Sequence, residues 1–260
     1  MNQTERHKAI IELVGQQGFL TIDALAKHFE VTPQTIRRDL NQLDEDNRLR
    51  RYHGGAGLPE HTSTQNIAYA DRKIQNLDEK IRIAQTIAQH IPNHSSLFIN
   101  IGTTTELIAR ALLQHQGLTV ITNNLHVASI LSSKADFHVI IAGGVVRHRD
   151  GGIIGEATVD FVRQFKVDIA VIGISGIDAD GDLLDFDYQE VRVAQAIVNQ
   201  SRQIFLAADH SKFGRNAMIR MGNISHATHL FTDQMPPESV VRAMQEHATQ
   251  LVIADHNSDT

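Results

Sequence analysis

From Ile81 onward, short apolar runs alternate with stretches whose apolar residues recur at helical spacing, and this alternation limits the possible folds more than any other feature of the chain. The runs cover residues 96–100, 118–122, 137–142, 167–173, 203–207, 229–232 and 251–254. All fall far short of the roughly 20 residues that a membrane helix needs. Strands separated by helices cannot pair as hairpins. The helical crossovers make neighbouring strands parallel and cover both faces of the sheet, so each strand reads as continuously apolar. The pattern therefore predicts a mostly parallel α/β sheet, in which small molecules bind beyond the carboxyl ends of the strands.

The turns expected on that rim are polar or rich in glycine. After the first run comes Ile101-Gly102-Thr103-Thr104-Thr105-Glu106. Glycine lets backbone N–H groups face inward, hydroxyls can donate, and a helix start favours an anion. Ordinary N-capping accounts for the same residues. Asn123 and Asn124 follow the second run, and Gly143-Gly144 the third. Arg147 and Arg149 precede Gly151-Gly152, and Gly155 opens a helix containing Glu156. Gly173, Gly176 and Asp178 follow the fourth run, and Asp209-His210-Ser211-Lys212-Phe213-Gly214-Arg215 the fifth. Five such turns on one rim predict a site for a small polyhydroxylated phosphate. Its candidate residues are Gly102, Thr103, Thr104, Thr105, Asn123, Gly143, Gly144, Gly152 and Gly176, with Lys212 and Arg149 pairing the anion. Asp178, Asp185 and Glu190 are either hydroxyl-binding groups or solvated loop carboxylates.

The first sixty residues follow another pattern. Ile10, Ile11, Leu13 and Val14 mark a helix that the glycines at 15 and 18 are expected to end. Thr21 is a plausible cap for a short helix with Ile22, Leu25, Ala26 and Phe29 on one face. Thr32 then caps a third helix, with Pro33 at the first position, where its missing N–H costs nothing. Ile36, Leu40 and Leu43 form the buried stripe of this helix; Gln34, Thr35, Arg37, Arg38 and Asn41 occupy the opposite face. Two short helices joined by a tight turn, the second opening with polar and basic groups, suit the major groove of DNA, where Gln and Arg offer paired donors to base edges. Arg48-Leu49-Arg50-Arg51-Tyr52-His53-Gly54-Gly55 reads as a basic wing for phosphates. Candidate DNA-binding residues are thus Thr32, Gln34, Thr35, Arg37, Arg38, Asn41, Arg48, Arg50, Arg51 and His53. A three-helix interaction module with solvated charges is the competing interpretation.

Composition narrows the classes. The net charge of the 260 residues is −6, yet residues 1–56 hold eight Lys/Arg against eight Asp/Glu. The acidic excess lies wholly in the remainder, so DNA binding must rest on a local motif. With no cysteine, disulfides, thiolate metal sites and cysteine catalysis are excluded. His226 and His229 have no third ligand nearby in sequence, which argues against a metal site. Residues 1–8 lack the apolar core of a signal peptide, and the chain reads as cytoplasmic. Residues 54–68 break the periodicity and a helical pattern resumes at 70–73; residues 58–75 read as a linker between domains at 1–57 and 76–255.

Arg6, Ile10, Val14, Thr32, Thr35, Ile36, Arg37, Arg38, Asp39 and Leu40 fall at the spacings of the DeoR-type helix-turn-helix, and the chain resembles that family. Gly102-Thr103-Thr104, Ala142-Gly143-Gly144, Gly173–Asp178 and Asp209–Lys212 carry the likeness through residues 76–233. The resemblance implies an α+β winged helix-turn-helix joined to an α/β domain of the ribose-5-phosphate isomerase, sugar-phosphate deaminase and CoA-transferase-like type. It further implies a homo-oligomeric repressor, dimer or tetramer, of carbon-catabolism genes, which a phosphorylated metabolite releases from double-stranded operator DNA without a cofactor. Segments 33–40, 149–158 and 209–218 are similar to family members that govern glycerol 3-phosphate use, making glycerol 3-phosphate or a related sugar phosphate the expected effector. The alternatives are another effector, such as fructose 1-phosphate or a deoxyribose phosphate, and an active sugar-phosphate isomerase, whose base would be Asp178 or Glu190. Asp39 reads as the orienting partner of a neighbouring arginine. Asn100 stands where the family usually has Asp, which alters sugar contacts there.

Overall fold

The structure is a computed structural model that describes residues 2–17, 19–46, 48–52, 55–57 and 66–254. The chain divides into two compact units, Met1–His61 and Thr62–Thr260.

The first unit contains helices α1 (Gln3–Gln17), α2 (Ile22–His28) and α3 (Pro33–Glu45) with strands β1 (Phe19–Thr21), β2 (Arg50–Tyr52) and β3 (Gly55–Gly57). The strands form a small antiparallel sheet in the order β1-β3-β2, the winged part of the fold. Helix α1 runs through Gly15 rather than stopping there. A helical glycine costs only about 1 kcal/mol against alanine, and the complete burial of Ile10 and Val14 offsets it. Ile36, Leu40, Leu43 and Leu49 complete this core. Glu30, in the turn between α2 and α3, has φ +52°, a left-handed conformation that suits glycine better.

The second unit begins with α4 (Tyr69–Ile74) and α5 (Leu77–Gln89). Next come β4 (Ser96–Ile99), α6 (Thr103–Ala111), β5 (Thr119–Thr122), α7 (Leu125–Leu131) and β6 (His138–Ile141). A hairpin of β7 (Val145–Arg147) and β8 (Gly152–Ile154) precedes α8 (Glu156–Val162) and β9 (Val167–Gly173). The chain continues with β10 (Gly176–Ile177), β11 (Asp182–Asp185), α9 (Tyr188–Asn199), β12 (Ser201–Ala207) and β13 (Ile219–Asn223). It ends with β14 (His229–Thr232), α10 (Glu238–Glu246) and β15 (Gln250–Ile253).

All seven apolar runs enter one sheet, ordered β15-β14-β12-β9-β4-β5-β6, with every neighbouring pair parallel. Alternate residues feed opposite cores. Phe98, Ala170, Ile172 and Leu206 pack beneath α8, α9 and α10. Leu97, Ile99, Val171 and Phe205 pack beneath α5, α6 and α7. Burial on both faces is why the runs lack polar alternation. The winding reverses between β4 and β9, because β5 and β6 are added on one side and β12, β14 and β15 on the other. Such a reversal splays the following loops apart and opens a crevice at the strands' carboxyl ends. The antiparallel sheet β10-β11-β13 and the β7–β8 hairpin are additions that the run pattern does not predict.

Candidate DNA interface and candidate anion cleft

Local chemistry positions α3. Thr32 Oγ1 accepts from the Thr35 N–H at 3.2 Å, its hydroxyl lies 2.9 Å from that of Thr35, and Pro33 opens the helix. Burial of Ile36, Leu40 and Leu43 fixes the inner face, leaving Gln34, Arg37, Arg38 and Asn41 exposed and Thr35 half-buried. Both Arg37 and Arg38 are exposed, and among the described residues neither makes an ion pair. The Arg51 backbone donates to Asp44 at 3.0 Å and its guanidinium to Asn41 Oδ1 at 2.6 Å, tying the wing strand to α3. Arg48 is exposed. His53 and the side chain of Arg50 lie outside the described residues.

Asp39 does orient an arginine, but its partner is Arg6 of α1, not the adjacent Arg37 or Arg38. Asp39 is only 1% exposed and binds Arg6 Nε at 2.6 Å, Arg6 Nη2 at 3.2 Å and His7 Nε2 at 3.0 Å. Burial pushes its carboxyl up, but the hydrogen bonds from Arg6 and His7 outweigh this and hold it below the ordinary carboxylate range. The pair closes α1 against α3 on the side away from the exposed basic groups.

In the second unit a narrow cleft, partly open to solvent, lies at the winding reversal. Ile101, Gly102, Thr103 and Thr104 line it after β4; Gly173, Ile174 and Ser175 at the end of β9; and Ala207, the last residue of β12, with Lys212 beyond it. Arg72, Asp185 and Glu190 complete the lining. The first backbone N–H groups of α6 have no carbonyl to bind within the helix, so its nine-residue span presents a positive end here. Lys212 Nζ lies 3.9 Å from Asp209 Oδ2 in a nearly dry setting. Burial lowers the Lys212 pKa, Asp209 opposes this, and repulsion from Arg215 and Arg72 adds to it. Burial and Arg72 likewise lower Arg215. A cluster of cations in which repulsion lowers both Lys212 and Arg215 suits an anion. Behind them Lys80 is 2% exposed and donates to the Arg72 carbonyl at 2.5 Å, its pKa lowered to about 8 chiefly by burial.

The cleft is also lined by carboxyl groups. Burial, then repulsion from Asp185, raises Glu190 to about 7 against the pull of Arg147, and burial raises Asp185. Arg147 is saturated: it reaches Glu190 at 2.6 Å, Asp150 at 2.7 Å and Asp187 at 2.8 Å.

Of the residues expected to meet the effector, the structure brings Gly102, Thr103, Thr104, Asp185, Glu190 and Lys212 to this cleft. The others fall outside its lining. Thr105 is wholly buried, and its hydroxyl lies 2.8 Å from the carbonyls of both Asn100 and Gly102. Asn123 donates to the Ile153 carbonyl. Gly143 accepts from Thr158, and a Cβ on Gly144 would stand 2.1 Å from that hydroxyl, so both serve the packing of α8. Gly152 lies against Ile101. Arg149 is 44% exposed and pairs with Asp187 and Asp150; Arg72 takes the place expected of it. Gly176 lets the backbone of Arg215 approach, since a Cβ there would stand 2.1 Å from its carbonyl oxygen. Asp178 accepts from the N–H groups of Asp180 and Asp182, shaping the β10–β11 turn. Sequence reasoning missed Arg72, Ser175 and Ile101 at the cleft. Arg72 fell within the stretch read as a linker, its only signal a basic pair where the helical pattern resumes, and nothing in its spacing pointed to the rim. Asn100 is buried just below it, with Oδ1 lacking a hydrogen-bond partner. Among the described residues no group of three or more His, Asp or Glu side chains is arranged to hold a metal ion, and no helix is long and apolar enough to cross a membrane.

An exposed basic helix in a winged fold and an anion-receptive cleft in an α/β unit together define a ligand-responsive DNA-binding regulator. The sequence matches the DeoR-like helix-turn-helix domain over residues 6–62 and the DeoR C terminal sensor domain over residues 75–234. The chain belongs to the DeoR family. It is 55% identical to a glycerol-3-phosphate regulon repressor of Escherichia coli (strain K12), over 96% of this chain and 99% of that protein. A protein of the same description from Haemophilus influenzae is 50% identical over 98% of both chains. These relatives are repressors, which sets aside the isomerase alternative. Ribose 5-phosphate isomerase A of Neisseria gonorrhoeae superposes with a TM-score of 0.38 and 15% identity, over 52% of this chain and 53% of that one.

Proposed function

We propose that this protein represses a glycerol 3-phosphate utilisation regulon and leaves its operator when glycerol 3-phosphate, or a closely related sugar phosphate, fills the cleft. The observation that carries the effector assignment is the meeting of Lys212, Arg72 and the α6 N-terminus with Asp185 and Glu190 in one cleft. A phosphate matches the cations, and two adjacent hydroxyls match the carboxyl groups, which can donate as well as accept hydrogen bonds when protonated. The relatives named above support glycerol 3-phosphate among the phosphates of this shape.

In this interpretation Gln34, Arg37 and Arg38 read base edges in the major groove, Thr32, Thr35 and Asn41 set the helix on the backbone, and Arg48, Arg50, Arg51 and His53 lie along phosphates. One such helix contacts too few bases for selectivity. The active species is therefore at least a homodimer on a two-fold operator, acting in the cytoplasm where the chromosome lies. Titration of the full chain with glycerol 3-phosphate, fructose 1-phosphate and ribose 5-phosphate, followed by competition for an operator duplex, tests this. Glycerol 3-phosphate should bind and release the duplex. Binding and release by another sugar phosphate alone would overturn the effector assignment, and uptake of none of them would overturn the cleft.

A further inference from the structure

The core beneath α9 is not completely filled. A cavity of about 190 Å³, partly open to solvent, lies between α9 and strands β9, β11, β12 and β13. Its floor is apolar: Ile172, Ile204, Leu206 and Met221 line it, and all four are buried. Protein interiors pack as densely as organic crystals and keep few voids larger than a water molecule, so a space of this size is unusual. An apolar cavity of about 150 Å³ takes up benzene; this one has room for an aromatic ring or a short alkyl chain. It has no lining residue in common with the anion cleft.

The polar lining groups mark the opening, because they are the ones that reach solvent. Asn199 and His226 are exposed and Gln195 is half-buried. The His226 ring lies against Gly222, where an added Cβ would stand 2.8 Å from Nδ1. Gln195 Nε2 donates to the Met221 carbonyl at 2.9 Å, which fixes the amide and leaves Oε1 without a hydrogen-bond partner among the described residues. An oriented, unmatched acceptor beside an apolar space suits a ligand that buries its apolar end and donates from the other. We propose that this cavity is a second ligand site of the α/β unit, for a small molecule with an apolar body of about six to eight carbons and one hydroxyl or N–H group, the class that phenols represent. The apolar body occupies the floor and the donor bonds Gln195 Oε1. No phosphate and no cation of the cleft takes part, so the site stands apart from the effector assignment.

The test uses the full chain with para-cresol as probe and toluene as its counterpart without a donor, by calorimetric titration and by NMR of isotope-labelled methionine methyl groups. The cresol should bind and shift the Met221 methyl signal, identified with Met221→Leu, while the signal of exposed Met235 stays in place. Binding should persist in Lys212→Met, which disables the cleft. Ala227→Leu and Val198→Phe enlarge two lining residues and should each weaken both probes by about tenfold or more, the loss of roughly two methylenes' worth of burial. Gln195→Met keeps the shape without the amide acceptor; it should weaken the cresol by about threefold to tenfold and leave toluene unchanged. A Met221 signal that does not move in wild type, or cresol binding that neither filling variant weakens, would overturn the site. An equal effect of Gln195→Met on both probes would overturn the donor-bearing class. The NMR reading is made on the wild-type chain, so it decides even where a filling variant fails to fold.

Discussion

Replacing Asp39 with alanine tests how the DNA-binding unit is held together. The carboxylate is 1% exposed, with contacts of 2.6 and 3.2 Å to Arg6 and 3.0 Å to His7. Truncation leaves the Arg6 guanidinium, whose side chain is itself 11% exposed, without its counter-ion. Removing one partner of a buried pair costs about 3–5 kcal/mol; because Arg6 keeps some access to water, the lower figure applies. For a unit of about sixty residues, 3 kcal/mol corresponds to a fall in melting temperature of roughly 12–24 °C. The assay is differential scanning calorimetry of the full chain. Its two units need not unfold together, so the transition of the first is identified as the one that moves with operator binding. Asp39→Asn, which keeps the shape but loses the charge, should fall between alanine and wild type. The pH dependence has a definite sign. The folded carboxyl sits below its unfolded value, so the stabilisation is present above about pH 4 and is lost as the pH falls through the lower folded value. If Asp39→Ala melts with wild type and keeps its operator affinity, the pair does not hold α3 and the reasoning fails.

Arg37→Ala and Arg38→Ala should each leave that melting transition in place but weaken specific operator binding by about fivefold to 150-fold, from about 1–3 kcal/mol per lost base contact; gel shifts against specific and random duplexes would show it. Lys212→Met should abolish the effector response while operator affinity stays at the wild-type level, giving a repressor that cannot be induced. Glu190, raised to about 7, should gain charge beside the bound anion as pH rises from 6 to 8, weakening effector binding. The phosphate's own second ionisation near pH 6 acts in the opposite direction, and the difference between wild type and Glu190→Gln isolates the carboxylate by calorimetry. Glu30→Gly should stabilise the first unit by roughly 0.5–1 kcal/mol, the relief of a left-handed non-glycine residue less the entropy of glycine, seen as a higher calorimetric transition.

The parts that could be read without coordinates are those in which the physics is local. Thr21 and Thr32 cap the helices expected of them because a cap bonds backbone two or three residues away. The seven runs became strands of one sheet because burial on both faces leaves no position for a polar residue. Lys212, Thr103 and Glu190 were found at the cleft because they stand directly after strands or open helices. Arg149 and Asp178 look equally eligible by that criterion, yet each has a carboxylate partner or a turn to serve that only the fold supplies.

The amino-acid order alone determined the alternation of strand and helix, the cap and basic face of α3, and hence a DNA-binding end followed by a doubly wound sheet, because hydrophobic period and capping act over a few residues. Tertiary structure alone decided which cations share the cleft. It placed Arg72 beside Lys212, 140 positions later in the chain, tied up Arg147 with three carboxylates, and gave Asp39 to Arg6 rather than to its neighbours. The charge state of a buried group depends on what surrounds it in space, and those surroundings come from segments far apart in sequence that meet only when the sheet closes its core.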